Sequence, residues 1–230
     1  MRTLLLLATA ALALCAVTPA TASGSGSGGK IRTAAFVSDA DWRVYTELPK
    51  RAHKRAPTFL GTAQLVCPNA TSPPTCPPGA VLYGWVGTGA WSASLTAIPG
   101  AAWIWAPGVT GTTSPAENAR YVFAAHVFIP RRAVATDAEI FVSADDFAAV
   151  YVNGAFVGTV GSLTNPADST AAQSMLTRFS ITPFVRGGPN VVAVVGQNGP
   201  PFFASCSAPC TYAQHPAGVV FGGSIDFRKR

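Results

Sequence analysis

Short segments rich in Val, Ile, Phe and Tyr, separated by turn-forming residues, dominate the second half of the chain. This composition is typical of β-strands, and no long stretch shows the period of 3.6 residues that an amphipathic helix requires. The pattern therefore predicts an all-β fold. The predicted strands are 120–129, 138–143, 148–152, 155–160, 176–181, 190–197 and 218–227.

The dipeptide Asn153-Gly154 separates two of these segments. Both residues accept the positive φ of a tight hairpin turn, so the strands before and after them are predicted to pair. Alternation along the strands places Ile140 and Val142 on one face with Val150 and Val152 opposite them, which gives a β-branched patch. Because this patch needs a second sheet to cover it, we expect a β-sandwich of two antiparallel sheets.

The first half of the chain is less regular. Segments 36–45 and 81–85 are predicted strands, and a short strand is expected near 62–66. The rest of 48–79 is predicted to be a long loop, which in a compact domain is either an ordered surface excursion or a place where function has been added. It contains an N-glycosylation acceptor at Asn69, which matters only in a eukaryotic host.

The N-terminus has the features of a secretory signal peptide: a basic residue, an apolar stretch and small residues that predict cleavage after Ala22. We expect 1–22 to be removed, 23–32 to be a flexible Gly/Ser-rich leader and 33–230 to form a single domain. The apolar stretch is too short to span a bilayer, so no membrane insertion is expected. Cys15 would suit a lipoprotein, but such signals need a small residue before the cysteine, and here it is large.

The chain carries sixteen Lys and Arg against ten Asp and Glu, a formal net charge of +6. Part of this excess lies in 50–55 and part in 228–230, and we expect both segments to be solvated. Attraction to a polyanion or to a membrane surface stays open as an alternative. No nucleic acid partner is expected, and the sequence does not define an oligomeric state.

Four cysteines follow the signal peptide, and an even number in an exported chain indicates disulfides. Their spacing does not match a zinc ribbon, and no histidine stands near enough to complete a set of ligands. We therefore favour two local bridges, one from Cys67 to Cys76 and one from Cys206 to Cys210. Each would close a short loop and contribute about 2 to 3 kcal/mol.

Six segments together form a recognisable pattern. They are VSDADWRV at 37–44, AAWIWAP at 101–107, YVFAAHVFIP at 121–130, AEIFVSADDFAAVYVNGAFVG at 138–158, FSITPFVRGGPNVVAVVGQN at 179–198 and AGVVFGGSIDF at 217–227. The pattern resembles the galactose-binding-like jelly-roll superfamily, found in carbohydrate-binding modules and in accessory domains of glycoside hydrolases. The resemblance implies a jelly-roll β-sandwich. The chain departs from it by a long disulfide-bearing insertion between Trp42 and Trp91 and by the second cysteine pair.

The paired aspartates are the most specific part of this resemblance. Asp145 and Asp146 end one strand and can bond to their own backbone, and Asn153-Gly154 turns the chain again. The family resemblance implies an architectural role for the aspartates and the asparagine. We therefore predict that all four residues are structural turn residues.

The inventory of catalytic groups is small. The chain after the signal peptide has seven Asp, three Glu and three His, which form no local motif, and no serine lies in the glycine-rich turn of a hydrolase. His126, inside a strong strand, is expected to be packed or bonded to a neighbouring strand. We predict no catalytic residues and expect that the protein is not an enzyme.

Two candidate binding sites remain. Tyr83, Trp85 and Trp91 lie among glycines in the insertion, and an uncrowded ring can stack on a sugar, so these three are predicted to form a carbohydrate platform.

Three other tryptophans match the family pattern and are expected to pack in the core. They are Trp42, Trp103 and Trp105.

No cofactor is expected, but a structural calcium ion is an alternative. Asp39, Asp41 and Asp226 would converge if the first and last strands are neighbours, although calcium prefers six or more oxygen ligands. No other metal site is predicted.

These observations favour a secreted, extracellular, non-catalytic recognition or adhesion module. Its expected partner is a glycan or another polymer of a cell surface or matrix. Two alternatives stay open: a structural or assembly protein of a matrix, envelope or particle surface, and a small secreted hydrolase.

Overall fold

The computed structural model describes residues 30–48, 56–68, 79–83, 91–202 and 206–229. Within these ranges the chain forms thirteen strands in two sheets, so the predicted jelly-roll β-sandwich is confirmed. In chain order the strands are β1 (Ile31–Val37), β2 (Arg43–Tyr45), β3 (Phe59–Thr62), β4 (Gln64–Pro68), β5 (Val81–Tyr83), β6 (Ile104–Trp105), β7 (Arg120–Ile129), β8 (Ala133–Asp145), β9 (Phe147–Val152), β10 (Ala155–Gly161), β11 (Thr177–Ser180), β12 (Gly188–Gln197) and β13 (Gly218–Lys229).

One sheet has seven strands in the order β11-β8-β13-β6-β4-β5, and β1 also pairs with β13. The other has six strands in the order β10-β9-β12-β7-β2-β3. Neighbouring strands are antiparallel except β4 and β5, which are parallel. The two longest neighbours, β8 and β13, pair along almost their whole length, from Gly218 opposite Asp145 to Lys229 opposite Ala133.

The inner faces of the two sheets enclose a single main core. The four side chains of the predicted β-branched patch are fully buried in that core, with Ile140 and Val142 in the seven-stranded sheet and Val150 and Val152 in the six-stranded one. The three tryptophans expected to pack are buried as predicted. Their exposed fractions are 3% for Trp42, 7% for Trp103 and 0% for Trp105.

The sequence pattern missed one α-helix, α1 (Pro166–Ser174). Its N-cap is Asn165, whose side-chain oxygen accepts a hydrogen bond from the backbone N–H of Ala167 at 3.0 Å. Only one of its three buried residues is apolar, so hydrophobic periodicity could not reveal it. Two short 3₁₀ helices span Leu95–Ala97 and Thr182–Phe184. Within the described ranges, no helix has the length and apolar character needed to cross a membrane.

The predicted strand segment 36–45 divides between the two sheets. β1 belongs to the seven-stranded sheet and β2 to the six-stranded one. Between them, the buried Ser38 donates from Oγ to the carbonyl of Ala102 at 2.7 Å, and the indole Nε1 of Trp42 donates to the carbonyl of Val37 at 2.7 Å. These bonds hold the chain where it crosses the core.

The predicted long loop 48–79 contains two strands, β3 and β4, instead of one short strand. β3 is the edge of the six-stranded sheet, whereas β4 joins the seven-stranded sheet, so this segment also crosses between layers. Residues 1–29, Asn69, Cys76 and Trp85 lie outside the described residues.

Candidate functional site

Asp145 and Asp146 lie where the chain leaves β8 in one sheet and enters β9 in the other. Their exposed fractions are 3% and 5%, and a cis peptide bond joins them. Their carboxyl groups and the groups that contact them form what we call the aspartate centre. Its other members are Trp91, Ser169, Gln173, Gly199 and His215.

Both oxygens of Asp145 accept hydrogen bonds from remote side chains. The indole Nε1 of Trp91 donates to Oδ2 at 2.8 Å, and Nε2 of Gln173 donates to Oδ1 at 2.7 Å. The Trp91 ring stacks on Trp103 with 4.7 Å between ring centroids, which fixes the indole in place. Burial, and secondly the neighbouring charge of Asp146, raise the pKa of Asp145 well above its ordinary value.

Asp146 is bonded as completely as its neighbour. Oδ1 accepts from the hydroxyl of Ser169 on α1, and Oδ2 accepts from the backbone N–H of Gly199 at 2.8 Å. The Nε2 atom of His215 lies 4.0 Å from Oδ2 and 3.0 Å from the carbonyl oxygen of Gly199. A Cβ added to Gly161 would lie 2.0 Å from the Asp146 carbonyl oxygen, so this position needs glycine.

The aspartates therefore lie at a corner, but they bond to groups that are remote in sequence and not to their own backbone as we expected. The centre ties the β8–β9 corner to α1, to the segment after β12 and to Trp91. Because buried polar groups are costly when unpaired, such a network stabilises one arrangement of these segments.

Asn153 and Gly154 form the turn between β9 and β10, with φ of 53° and 84°. The Asn153 side chain also holds the neighbouring loop. Its Nδ2 donates to the carbonyl of Phe184 at 2.9 Å and to Oδ1 of Asn190 at 2.8 Å, and its Oδ1 accepts from the N–H of Val191 at 3.0 Å.

Cys206 and Cys210 form a disulfide with 5.7 Å between their Cα atoms. The backbone N–H of Cys210 donates to Oε2 of Glu117 at 3.0 Å, so the bridged loop is fixed to the segment before β7. Cys67 is also disulfide-bonded. The partner that we predict for it, Cys76, lies outside the described residues.

The predicted carbohydrate platform needs a correction at Trp91. Its exposed fraction is 2%, because the ring lies between Trp103 and the aspartate centre. A ring without an open face cannot stack on a sugar from solvent. The backbone of Tyr83 ends β5, and the Tyr83 side chain and Trp85 lie outside the described part of the chain.

The calcium prediction is wrong for the set that we proposed. β1 and β13 are neighbours as expected, but their antiparallel register places Thr33 opposite Asp226, several residues from the turn that carries Asp39 and Asp41. The Thr33 hydroxyl donates to Asp226 at 2.6 Å, and Asp39 accepts from the N–H of Asp41 at 2.9 Å. In the described ranges, no three His, Cys, Asp or Glu side chains are placed to hold a metal ion.

The outer face of the six-stranded sheet contains a cleft of about 530 Å³, which we call the sheet cleft. It lies over β2, β7 and β12 and is bounded on one side by the segment before β3. It is lined by Asp41, Arg43, Tyr45, Ala56, Pro57, Ala124, Ala125, His126 and Val191. Its volume falls within the range typical of small-molecule sites.

Strand register explains how these residues come together. Arg43 on β2 lies opposite Ala124 on β7, and His126, two residues further along β7, lies opposite Val191 on β12. Small residues form the floor, whereas longer polar side chains stand at its margin. His126 is exposed, so of the two alternatives that we expected for it, the packed one is wrong.

Tyr45 lines the sheet cleft with an aromatic ring. Its ring contacts Phe59 with 5.5 Å between centroids, and the Arg43 guanidinium lies 5.9 Å from the Phe59 centroid. Phe59 is itself 54% exposed. The cleft thus combines a carboxylate, a guanidinium, an imidazole and a phenol ring on one accessible surface.

The sequence did not identify this site. Alternation does place Ala124 and His126 on one face of β7, but only the pairing of β2 with β7 adds Arg43 and Tyr45. That pairing joins strands about eighty residues apart, and no local pattern encodes it.

No protein-family model matches the chain, and no curated protein matches it either. Solved structures that are similar include an α-L-rhamnosidase from Streptomyces avermitilis, with 25% identity over 54% of this chain and 10% of that one, and a TM-score of 0.36. A lectin from Pleurotus ostreatus has 20% identity over 61% of this chain and 33% of its own, with a TM-score of 0.38.

A third similar structure is β-glucuronidase 2 from Bacteroides uniformis. It has 13% identity over 84% of this chain and 18% of its own, with a TM-score of 0.40. This chain therefore spans a third or less of the length of each of the three proteins. At these TM-scores the similarities assign neither a family nor a ligand, and the architecture rests on the strand pairing of the chain itself.

Proposed function

We propose that this chain is an extracellular, non-catalytic recognition module that binds a glycan in the sheet cleft. The observation that carries the proposal is the combination of Arg43, Asp41, His126 and the Tyr45 ring around a floor of small residues in one open cleft. The ligand class follows from the chemistry of these groups.

Sugars present hydroxyl groups that both donate and accept, together with apolar ring faces. The Arg43 guanidinium donates, the Asp41 carboxylate accepts, and the His126 imidazole does either according to its tautomer. The Tyr45 ring offers an apolar face with a polar tip. The small floor formed by Ala124 and Val191 leaves room for a ring to approach the sheet.

A non-catalytic role is supported by the distribution of carboxylates. Most glycosidases use two carboxyl groups on opposite sides of the bond that they cleave. Of the described residues that line the sheet cleft, Asp41 alone carries a carboxylate. Asp145 and Asp146 are buried, and both oxygens of each are bonded to other parts of the protein.

An extracellular location is supported by the Cys206–Cys210 bridge, since disulfides persist in oxidising compartments. The expected signal peptide at 1–22 agrees with this location. The partner is therefore expected to be a glycan of a cell surface or matrix.

The test begins with a glycan array probed with the mature protein, followed by titration of any glycan that is retained. We expect Tyr45→Ala and Arg43→Ser each to weaken binding about tenfold, as loss of a central contact does. Tyr151→Ala is the matched control. Tyr151 also lies on the outer face of the six-stranded sheet, level with Arg43 in the strand pairing. It is on β9, three strands away from β2, which carries Arg43.

Three results would contradict the proposal. If no glycan is retained, or if the cleft variants bind as tightly as the control, the cleft is not a glycan site. Shortening of the bound glycan during incubation would contradict the non-catalytic role. Ordered self-association without glycan retention would support the alternative of a structural or assembly protein.

A further inference from the structure

Seven cationic side chains gather at one end of the sandwich, which we call the basic end. The described ranges contain ten Lys and Arg residues, so most of the described positive charge lies there. All seven residues are exposed. They are Lys30, Arg32, Arg131, Arg132, Arg186, Arg228 and Lys229.

Strand register brings these distant positions together. Ile31, at the start of β1, pairs with Arg228, so Lys30 lies beside the C-terminal end of β13. Lys229, on that same end, pairs with Ala133, the residue directly after the β7–β8 turn. The start of β1, the β7–β8 turn and the end of β13 therefore place their cationic side chains at the same end of the molecule.

The β7–β8 turn presents two of the arginines in a fixed position. The backbone N–H of Ala133 donates to the carbonyl of Pro130 at 2.8 Å, which closes the turn around Arg131 and Arg132. The loop that carries Arg186 packs directly on this turn, since a Cβ added to Gly187 would lie 2.2 Å from the Arg131 carbonyl oxygen.

The Arg186 loop is itself braced from within. The side chain of Asn190 accepts from the backbone N–H of Arg186 at 2.9 Å and donates to its carbonyl at 2.8 Å. Asn190 also accepts from Asn153 at the β9–β10 turn. The backbone at this end is therefore held by hydrogen bonds that leave the cationic side chains free.

None of the seven cations forms an ion pair with a described acidic residue. The nearest acids in the strand register are Asp226 and Asp137, which lie opposite each other. Asp226 already accepts a hydrogen bond from Thr33. Exposed cations in such excess repel one another, and a partner that carries several negative charges would relieve this repulsion.

We propose that the basic end binds an anionic polysaccharide, a polymer whose carboxylate or sulfate groups recur along the chain. The cations are spread over several turns and strand ends and do not converge on one pocket. A polymer with repeated charges can contact many of them at once and release bound counterions, whereas a small anion contacts only one or two.

The exposed apolar residues near this end argue against a membrane surface. Ile31 and Val134, which are 57% and 38% exposed, flank Arg228 on the outer face of the seven-stranded sheet. Phe128, 62% exposed, lies on the outer face of the six-stranded sheet. Because these faces point away from each other, a flat bilayer cannot take up both sets of side chains together with the basic end.

The experiment titrates the full secreted chain with dextran sulfate, polygalacturonate and neutral dextran over a range of salt concentrations. We expect binding to both anionic polymers, none to neutral dextran, and an affinity that falls steeply with salt. The double variant R131S/R132S should weaken binding about tenfold and make the slope of log affinity against log salt shallower by roughly 1.5.

The matched control is R120S/R178S, which removes the same charge from exposed positions away from the basic end. It should change affinity by less than about twofold. Arg43→Ser should also leave polyanion binding unchanged, and R131S/R132S should leave a neutral glycan in the sheet cleft unaffected. The two proposed sites can therefore fail independently.

Three outcomes would overturn this proposal. The first is equal binding by R131S/R132S and the control variant. The second is binding to phosphatidylserine vesicles or duplex DNA that is as tight as binding to the polysaccharides at 150 mM salt, which would assign a different polyanion. The third is the absence of binding to both anionic polymers.

Discussion

The aspartate centre and the sheet cleft are both built from carboxylate, imidazole and aromatic side chains, but they use them in opposite ways. In the aspartate centre, Asp145 and Asp146 are almost fully buried, and each oxygen accepts a hydrogen bond from another segment. In the sheet cleft, Arg43, Asp41 and His126 are exposed around a floor of small side chains.

The difference shows that residue types alone do not define a binding site. A polar group whose hydrogen-bonding capacity is used within the protein stabilises the fold, and it can reach a ligand only if those bonds break. A polar group that its strand holds at the surface, and whose hydrogen-bonding capacity is not used within the protein, can bind a ligand from solvent at little cost in stability. Substitutions in the two regions should therefore affect different measurements.

The largest effect is expected for Asp146→Ala. The change leaves the Ser169 hydroxyl and the Gly199 N–H buried without their acceptor, and each unpaired group costs about 1 to 3 kcal/mol. We expect the free energy of unfolding to fall by about 3 kcal/mol, measured by urea denaturation. Asp168→Ala is the control. Asp168 is an exposed carboxylate on α1, the helix that carries Ser169, and its loss should lower the free energy of unfolding by about 0.5 kcal/mol.

A binding measurement on Asp146→Ala also tests whether the aspartate centre and the sheet cleft have separate roles. At temperatures where Asp146→Ala is folded, its affinity for a glycan in the sheet cleft should equal that of the unchanged protein. Lost affinity in a fully folded variant would show that the aspartate centre takes part in binding. The separation between the two regions would then fail.

An effect that is smaller for each pH unit is expected from the titration of Asp145. Its pKa is raised in the folded state, mainly by burial, so the folded chain keeps a proton that the unfolded chain releases above a pH of about 4. The free energy of unfolding should therefore fall as the pH rises from that value through the raised pKa. Below a pH of about 4, the contribution of Asp145 to the free energy of unfolding is fully present.

Asp145→Asn isolates this contribution, because asparagine does not titrate and both proteins keep Asp146 and His215. The stability of the unchanged protein minus that of the variant should decrease with rising pH, by up to about 1.4 kcal/mol per pH unit within the window. Parallel stability curves from pH 4 to 8 would show that Asp145 carries no raised pKa.

The sequence predicted the sandwich because its strands carry their information locally. Segment 120–129 coincides with β7, and Asn153-Gly154 lies at the predicted hairpin. The predictions were wrong where distant packing decides the structure. α1 buries Ser169 and Gln173 against the aspartates, and these polar contacts leave no hydrophobic period in the sequence.

The candidate sites were harder to predict for the same reason. Glycines around Trp91 suggested an open ring, yet the ring is buried because its indole N–H meets Asp145, 54 residues away. The sheet cleft depends on β2 pairing with β7, and the basic end depends on β1 pairing with β13. Each arises from strand pairs far apart in the chain, which composition and spacing do not encode.

The smallest effect on stability is expected in the sheet cleft itself. Arg43→Ser removes an exposed guanidinium whose contact within the protein is with the Phe59 ring, a contact worth about 0.5 kcal/mol at a surface. The free energy of unfolding should change by no more than this, although glycan affinity falls tenfold under our proposal. A loss of stability comparable to that of Asp146→Ala would mean that Arg43 supports the fold, and the contrast between a region that stabilises and a region that binds would no longer hold.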